Sequence, residues 1–239
     1  VASHLSSLGF AVATAADLFA LAHRLGPDAE PFDTPAGGYF RWADPSGAEL
    51  WLQTTPGGEE FLGASPSLVA SPAAAVTLTG RVPGEESPLD GAFRGTAGGR
   101  DVLFAAPDFR RLDPLPLPAA VGVHLAGFAH EAEGFPSPAA YRAADPKLHA
   151  EPSLFVPVGL LDAGPPRPLA FVVGVVTASD WRTNRLTGER FGVLELTSPV
   201  GPVAVALDPA VLAELPPAGG VFAGTVWLTG RVTRPPPAG

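Results

Sequence analysis

Cysteine, methionine and isoleucine are absent from the 239-residue chain, and lysine, asparagine and glutamine occur once each, as Lys147, Asn184 and Gln53. Without cysteine there is no disulfide framework, no zinc finger, no iron–sulfur cluster and no thiol nucleophile. Ala, Gly, Pro and Arg are abundant in their place. This is the pattern of a GC-rich coding sequence, so the missing cysteines say little about redox compartment. No unbroken apolar run approaches the length of a bilayer-spanning helix, which argues against an integral membrane protein. The opening Val1-Ala-Ser-His-Leu5 lacks a basic n-region. Asp17, His23 and Arg24 interrupt the stretch where a signal core would be apolar, so a cytoplasmic location is expected.

What is present points to globular structure. Hydrophobic residues make up 46% of the chain and charged residues 16%, with a net charge of −9. That supports one large or two to three small domains with buried cores. The expected fold class is α+β, mainly antiparallel β. Many short strands with little helix argue against a Rossmann or TIM architecture.

Residues 1–68 read as a βαβββ module. Leu5–Thr14 is β-compatible, and Ala15–Leu25 carries the Leu18, Leu21, Ala22 and Leu25 stripe of an amphipathic helix, stopped at Gly26-Pro27. Glu30–Asp33 is an edge strand, and Gly38–Ala43 and Ala48–Thr54 flank the turn Asp44-Pro-Ser-Gly47. Gly57–Pro72 reads as a connector. Beyond it, a diverged repeat organises the chain into units at 72–135 and 168–235, with a helical linker at 136–167 and a tail at 236–239. Val102–His130 can be laid beside Pro202–Arg231, and the string LTGRV occurs in both Ala74–Val82 and Val226–Val232. In the linker, Ser137 is a helix N-cap, Pro138 the first helical residue and Pro146 the stop. Each unit reads as about five strands with a short helical turn before the last ones. By pattern alone it resembles a small OB-like (oligonucleotide/oligosaccharide-binding) barrel.

Three clusters are candidate sites. In the strand after the DPSG turn, Leu50 and Leu52 face the helix, which leaves Glu49, Trp51 and Gln53 on the opposite, concave face. With His4 ahead of the first strand, the segment resembles one βαβββ module of the vicinal oxygen chelate (glyoxalase/dioxygenase) superfamily. That resemblance implies a divalent metal held by His4 and Glu49. The superfamily pairs two such modules, and residues 72–239 show no second one. The next candidate is the loop Thr177–Phe191, with Trp181, Arg182, Asn184, Arg185 and Arg190 as partner- or ligand-binding residues. Residues 168–239 nevertheless hold five Arg against five Asp and Glu, so the unit lacks the basic footprint of a nucleic-acid protein. Last, His124, His130, Glu131 and Glu133, and beyond the helix His149 and Glu151, read as structural, because His124 and His130 lie about 20 Å apart on one extended strand. No nucleophile elbow, P-loop or dinucleotide fingerprint is present. The sequence therefore favours a non-enzymatic binding or protein-interaction protein without a cofactor, its partner a protein or small ligand. The alternatives are a metal-dependent enzyme of vicinal oxygen chelate type and a single-stranded nucleic-acid binder.

Overall fold

The computed structural model describes residues 3–145, 151–161 and 163–233. Pro146, Lys147, His149 and the tail 236–239 lie outside them. The architecture is α+β and dominated by antiparallel sheet, and among the described residues no helix is long and apolar enough to cross a membrane.

The N-terminal helix, α1 (Ala15–Leu25), forms where its stripe predicts. Thr14 accepts a hydrogen bond from the Asp17 amide, and the Asp17 carboxylate accepts from the Thr14 amide, closing a capping box. The expected first strand does not form. Ser6–Leu8 is a 3-10 turn ended by Gly9 at φ 72°. Its serines satisfy one another locally, with the Ser6 amide on Ser3 Oγ at 3.0 Å and Ser7 Oγ on the Ser3 carbonyl at 3.2 Å, and this competes with strand pairing. Four antiparallel strands follow in spatial order β1 (Glu30–Thr34), β2 (Gly37–Ala43), β3 (Ala48–Thr54) and β4 (Phe61–Leu68). The segment read as a connector thus contributes β4, an edge strand that tolerates Pro66. Strand β3 is buried from Ala48 to Gln53, so both faces of this sheet are covered.

The remaining strands are β5 (Ala74–Pro83), β6 (Gly91–Ala97), β7 (Arg100–Ala105), β8 (Ala119–Phe135), β9 (Leu154–Val156), β10 (Leu169–Thr183), β11 (Arg190–Ser198), β12 (Gly201–Leu207) and β13 (Val221–Thr233). A 3-10 turn, Phe109–Leu112, precedes β8. The corresponding stretch before β13 is only a hydrogen-bonded turn at Asp208. Helix α2 (Pro138–Ala144) and β9, which pairs with β10, fill the linker.

These nine strands are built around one antiparallel ribbon, β8 with β13, paired from Gly122↔Thr233 to Phe135↔Val221. At one end, the start of β8 pairs with β5, and β5–β6–β7 returns to β13 through a parallel contact at Thr229↔Ala105. At the other end, β13 pairs with β10, and β10–β11–β12 returns to β8 through a parallel contact over Leu125–Phe128. Each of the two five-stranded rings thus completes itself with part of the other unit's last strand. Alternation along the ribbon turns Val123, Leu125, Val226 and Leu228 into a core continuous through both rings. Outward-facing Phe191, Val193, Ala204, Ala206, Ala126 and Phe128 share a second core with Leu8, Phe10, Leu25, Leu50 and Leu52. The N-terminal segment therefore lies across the outer β11–β12–β8 surface.

A chain stopped at residue 167 loses β12 and β13 and leaves both edges of the second half of β8 unpaired. We expect this truncated chain to aggregate and to melt without a cooperative transition by circular dichroism. A sharp transition from a monomer would show that the first ring closes without its borrowed strand.

Candidate functional site

The concave face of the four-stranded sheet is where its charged residues collect. Glu49 is 3% exposed on β3. One of its carboxylate oxygens, Oε1, accepts from Arg41 Nε at 2.9 Å and also from Arg41 Nη2. The other, Oε2, accepts from Trp51 Nε1 at 3.1 Å and from Arg231 Nη1 at 2.8 Å. Arg41 is the cross-strand neighbour on β2, partner of Trp51 in the register, while Arg231 reaches in from β13. The Glu49 carboxylate therefore joins the sheet to the ribbon.

Aromatic rings line the same space. The fully buried Trp51 indole has the Arg231 guanidinium 4.2 Å from its centroid and Phe32 stacked at 5.6 Å. Arg111, from the turn before β8, lies 3.7 Å from the Phe32 centroid and 3.3 Å from Asp108 Oδ2. Burial pushes the Asp108 carboxyl above its ordinary range, an effect opposed by Arg231 and Arg111, and burial pulls Arg231 below its own. Further along, Gln53 donates to Asp90 Oδ1 at 2.7 Å and the Tyr39 hydroxyl to the Leu89 carbonyl at 2.7 Å. Residues 87–112 of the first ring thus cover most of the concave face. What stays open is a cleft of about 320 Å³ lined by Arg41, Asp44, Glu49, His124, Arg231 and Thr233. A second cavity, about 310 Å³ and apolar, lies between α1 and the sheet against Phe19, Phe40, Leu52 and Phe61.

His4 and Glu49 enter separate clusters. The His4 ring packs on Phe128 and Trp227, centroids at 5.6 and 5.1 Å, and its Nε2 lies 2.9 Å from Nε2 of His130. The two imidazoles have centroids 5.2 Å apart and an interplanar angle of 5°. The centroid separation exceeds the nitrogen–nitrogen distance by two ring radii, so the rings meet end to end in one plane and share a single proton. His130 falls at the irregularity in the ribbon between Thr225 and Val226. Burial, and next the His130 ring, pull the His4 pKa down to about 4. His124 pairs through Nδ1 with the Ser71 carbonyl at 2.8 Å. Among the described residues no group of three or more His, Asp or Glu is placed to hold a metal ion.

The 177–191 segment is mostly strand, since β10 and β11 stay paired out to Thr183↔Arg190 and only 184–189 form a loop tip. Three of its candidates turn inward through side chain or backbone. Asn184 is fully buried and donates to the Leu8 carbonyl at 2.9 Å. Arg182 donates to the Ser46 carbonyl at 2.8 Å, and the Arg185 amide to Asp44 Oδ2 at 3.2 Å. The tip therefore clasps the N-terminal segment and the DPSG turn, where Gly47 at φ 90° leaves no room for a Cβ against the Val69 carbonyl. Trp181 is half-buried beneath the exposed Arg190 guanidinium, 5.0 Å from its ring centroid. Sequence reasoning missed Arg41, Asp108, Arg111 and Arg231. The signal for Arg41 was its place one hairpin turn from Glu49, but Arg231 is 182 residues distant.

No family model, curated protein or solved structure matches this chain.

His4 stays neutral in the fold while an unfolded His4 takes up a proton near its ordinary 6.5. The unfolded chain thus binds more protons below that pH, and stability falls as pH drops from 6.5 towards about 4. His4→Phe keeps an aromatic ring against Phe128 and Trp227 and removes the titration. Urea unfolding at successive pH values should show wild-type stability declining relative to the variant across this window. Parallel curves would mean that burial against Phe128 and Trp227, together with the His130 contact, does not hold His4 neutral.

Proposed function

We propose that the chain is a non-enzymatic binding protein and that the cleft between the four-stranded sheet and the β8–β13 ribbon is its ligand seat. The observation that carries this reading is the division of labour around Glu49. Its carboxylate is fully engaged by Arg41, Trp51 and Arg231, yet Glu49 and the two arginines also line a cleft large enough for a small polar molecule. A metal centre of vicinal oxygen chelate type has less support, because Glu49 is spent on two arginines and His4 on His130.

The rings are consistent with the OB-like resemblance. Each has five strands with a short helical or hydrogen-bonded turn before its own last strand. In that class the ligand face spans the second and third strands. For the second ring these are β11 and β12, whose outer side chains are covered by Leu8, Phe10 and Leu25. Nucleic-acid binding on that face would displace the chain's own N-terminal segment. The same covering supports the interaction reading, since the surface already serves as a protein-docking face within the chain.

Two measurements test this. Protein purified without chelator should carry no stoichiometric divalent metal, in wild type and Glu49→Ala alike; metal lost on mutation would put the chelate-enzyme reading first. In amide NMR spectra, hits from a small-molecule fragment library should move Gly47, Val69, Val232 and Thr233. Fragments that collect elsewhere and leave those amides still would remove the cleft from consideration.

A further inference from the structure

We infer that the cleft takes a small oxyanion, a carboxylate or a phosphate group, gripped by the Arg231 and Arg41 guanidinium groups; this rests on the reading of the cleft as the ligand seat. Charge and hydrogen-bond capacity carry the inference together. Around Trp51, Arg41, Arg111 and Arg231 converge on two buried carboxylates, Glu49 and Asp108. The further acid, Glu30, touches Arg41 at 3.4 Å from the rim and is 58% exposed, where solvent screens it. Three guanidinium groups, all partly exposed, thus face two carboxylates that are buried.

Donors are in surplus as well. The buried Nε of Arg231 has no acceptor, and two buried hydroxyls, Ser67 Oγ and Thr229 Oγ1, have no partner. Thr229 lies two residues from Arg231 on the same face of β13, and Ser67 stands directly opposite Glu49 across β3 and β4. Buried polar groups of native proteins are almost always satisfied, and an orphaned one marks a place where a water, an ion or a ligand is taken up; of these three residues Arg231 lines the cleft itself. Among the described residues one unpaired acceptor also occurs here, Asp108 Oδ1; Asp108 is not part of the cleft lining, and its other oxygen, Oδ2, accepts from Arg111 at 3.3 Å. Asp44, the other acid on the cleft wall, is already committed, with Oδ1 on the Ser46 amide at 2.9 Å and Oδ2 on the Arg185 amide at 3.2 Å. His124 adds a ring to the lining, its Nδ1 fixed by the Ser71 carbonyl. Guanidinium forks match carboxylate and phosphate oxygens in pairs, which a neutral ligand cannot exploit. In this arrangement Glu49 is an internal competitor that keeps the arginines ordered while the seat is empty and sets how tightly an outside anion binds.

The competitor makes the test directional. Inorganic phosphate and succinate are titrated separately into wild type at constant chloride, with amide shifts of Gly47, Val69, Val232 and Thr233 as readout and glycerol as neutral control. Saturable shifts are expected with at least one anion; phosphate alone or succinate alone identifies which oxyanion the seat prefers. Glu49→Gln keeps the side-chain shape, frees the forks and should tighten binding about tenfold, a gain that damage to the fold would not produce. Arg231→Lys keeps the charge, loses the fork and should weaken binding about tenfold. Equal affinity in wild type and both variants overturns the inference. If glycerol moves these amides and neither anion does, the ligand seat stands and the oxyanion assignment falls. If no probe moves them, both fall.

Discussion

A carboxylate removed from water must have its charge met inside the protein, and Glu49 is the residue on which that requirement bears hardest. The cost of leaving one member of a buried ion cluster unmatched is of order 3–5 kcal/mol, comparable to a large share of a domain's net stability. The arginines that answer Glu49 come from different parts of the chain, Arg41 from the neighbouring strand and Arg231 from the last strand of the fold. The four-stranded sheet is thereby tied to the ribbon that both rings share. The hydrophobic cores on either side permit many small displacements of sheet against ribbon, but the two guanidinium contacts with one carboxylate permit few. The cleft beside Glu49 owes its shape to that constraint.

Local structure was legible where a single segment decides it. The helix Ala15–Leu25, the DPSG hairpin and the inward and outward faces of β3 follow from periodicity and turn chemistry, and the structure has them at the expected residues. The strand expected over Leu5–Thr14 was lost to serine hydroxyls bonding within their own turn, an alternative that hydrophobic patterning does not register. Strand β4 was hidden because Gly, Ser and Pro are tolerated at a sheet edge. The string LTGRV, on which the expected repeat partly rested, does not mark equivalent strands. The two LTGRV copies fall on β5 and β13, the first strand of one unit and the last of the other.

The candidate site was half legible for the same physical reason. Glu49 and its concave face come from alternation within one hairpin. Its partners Arg231, Asp108 and Arg111 come from contacts that only the closed topology creates. The arginine and asparagine loop shows the converse. Asn184 and Arg182 have the composition of a recognition surface, but they hold the Leu8 carbonyl and the Ser46 carbonyl of their own chain. Polar side chains at a loop tip serve an internal contact as readily as an external one, and only the location of the acceptor tells them apart.

The shared ribbon also sets an order of events during synthesis. The first ring can assemble β5, β6 and β7 early, but its closure needs Thr229, and the Glu49 cluster needs Arg231. Both residues belong to β13, made after every other strand of this fold. Until they leave the ribosome, β8 presents an open edge and Glu49 has only Arg41 to meet its charge. Contacts of such sequence separation fold slowly and expose aggregation-prone edges meanwhile. Folding therefore ends on one coupled step, in which arrival of β13 closes the first ring and completes the buried ion cluster together.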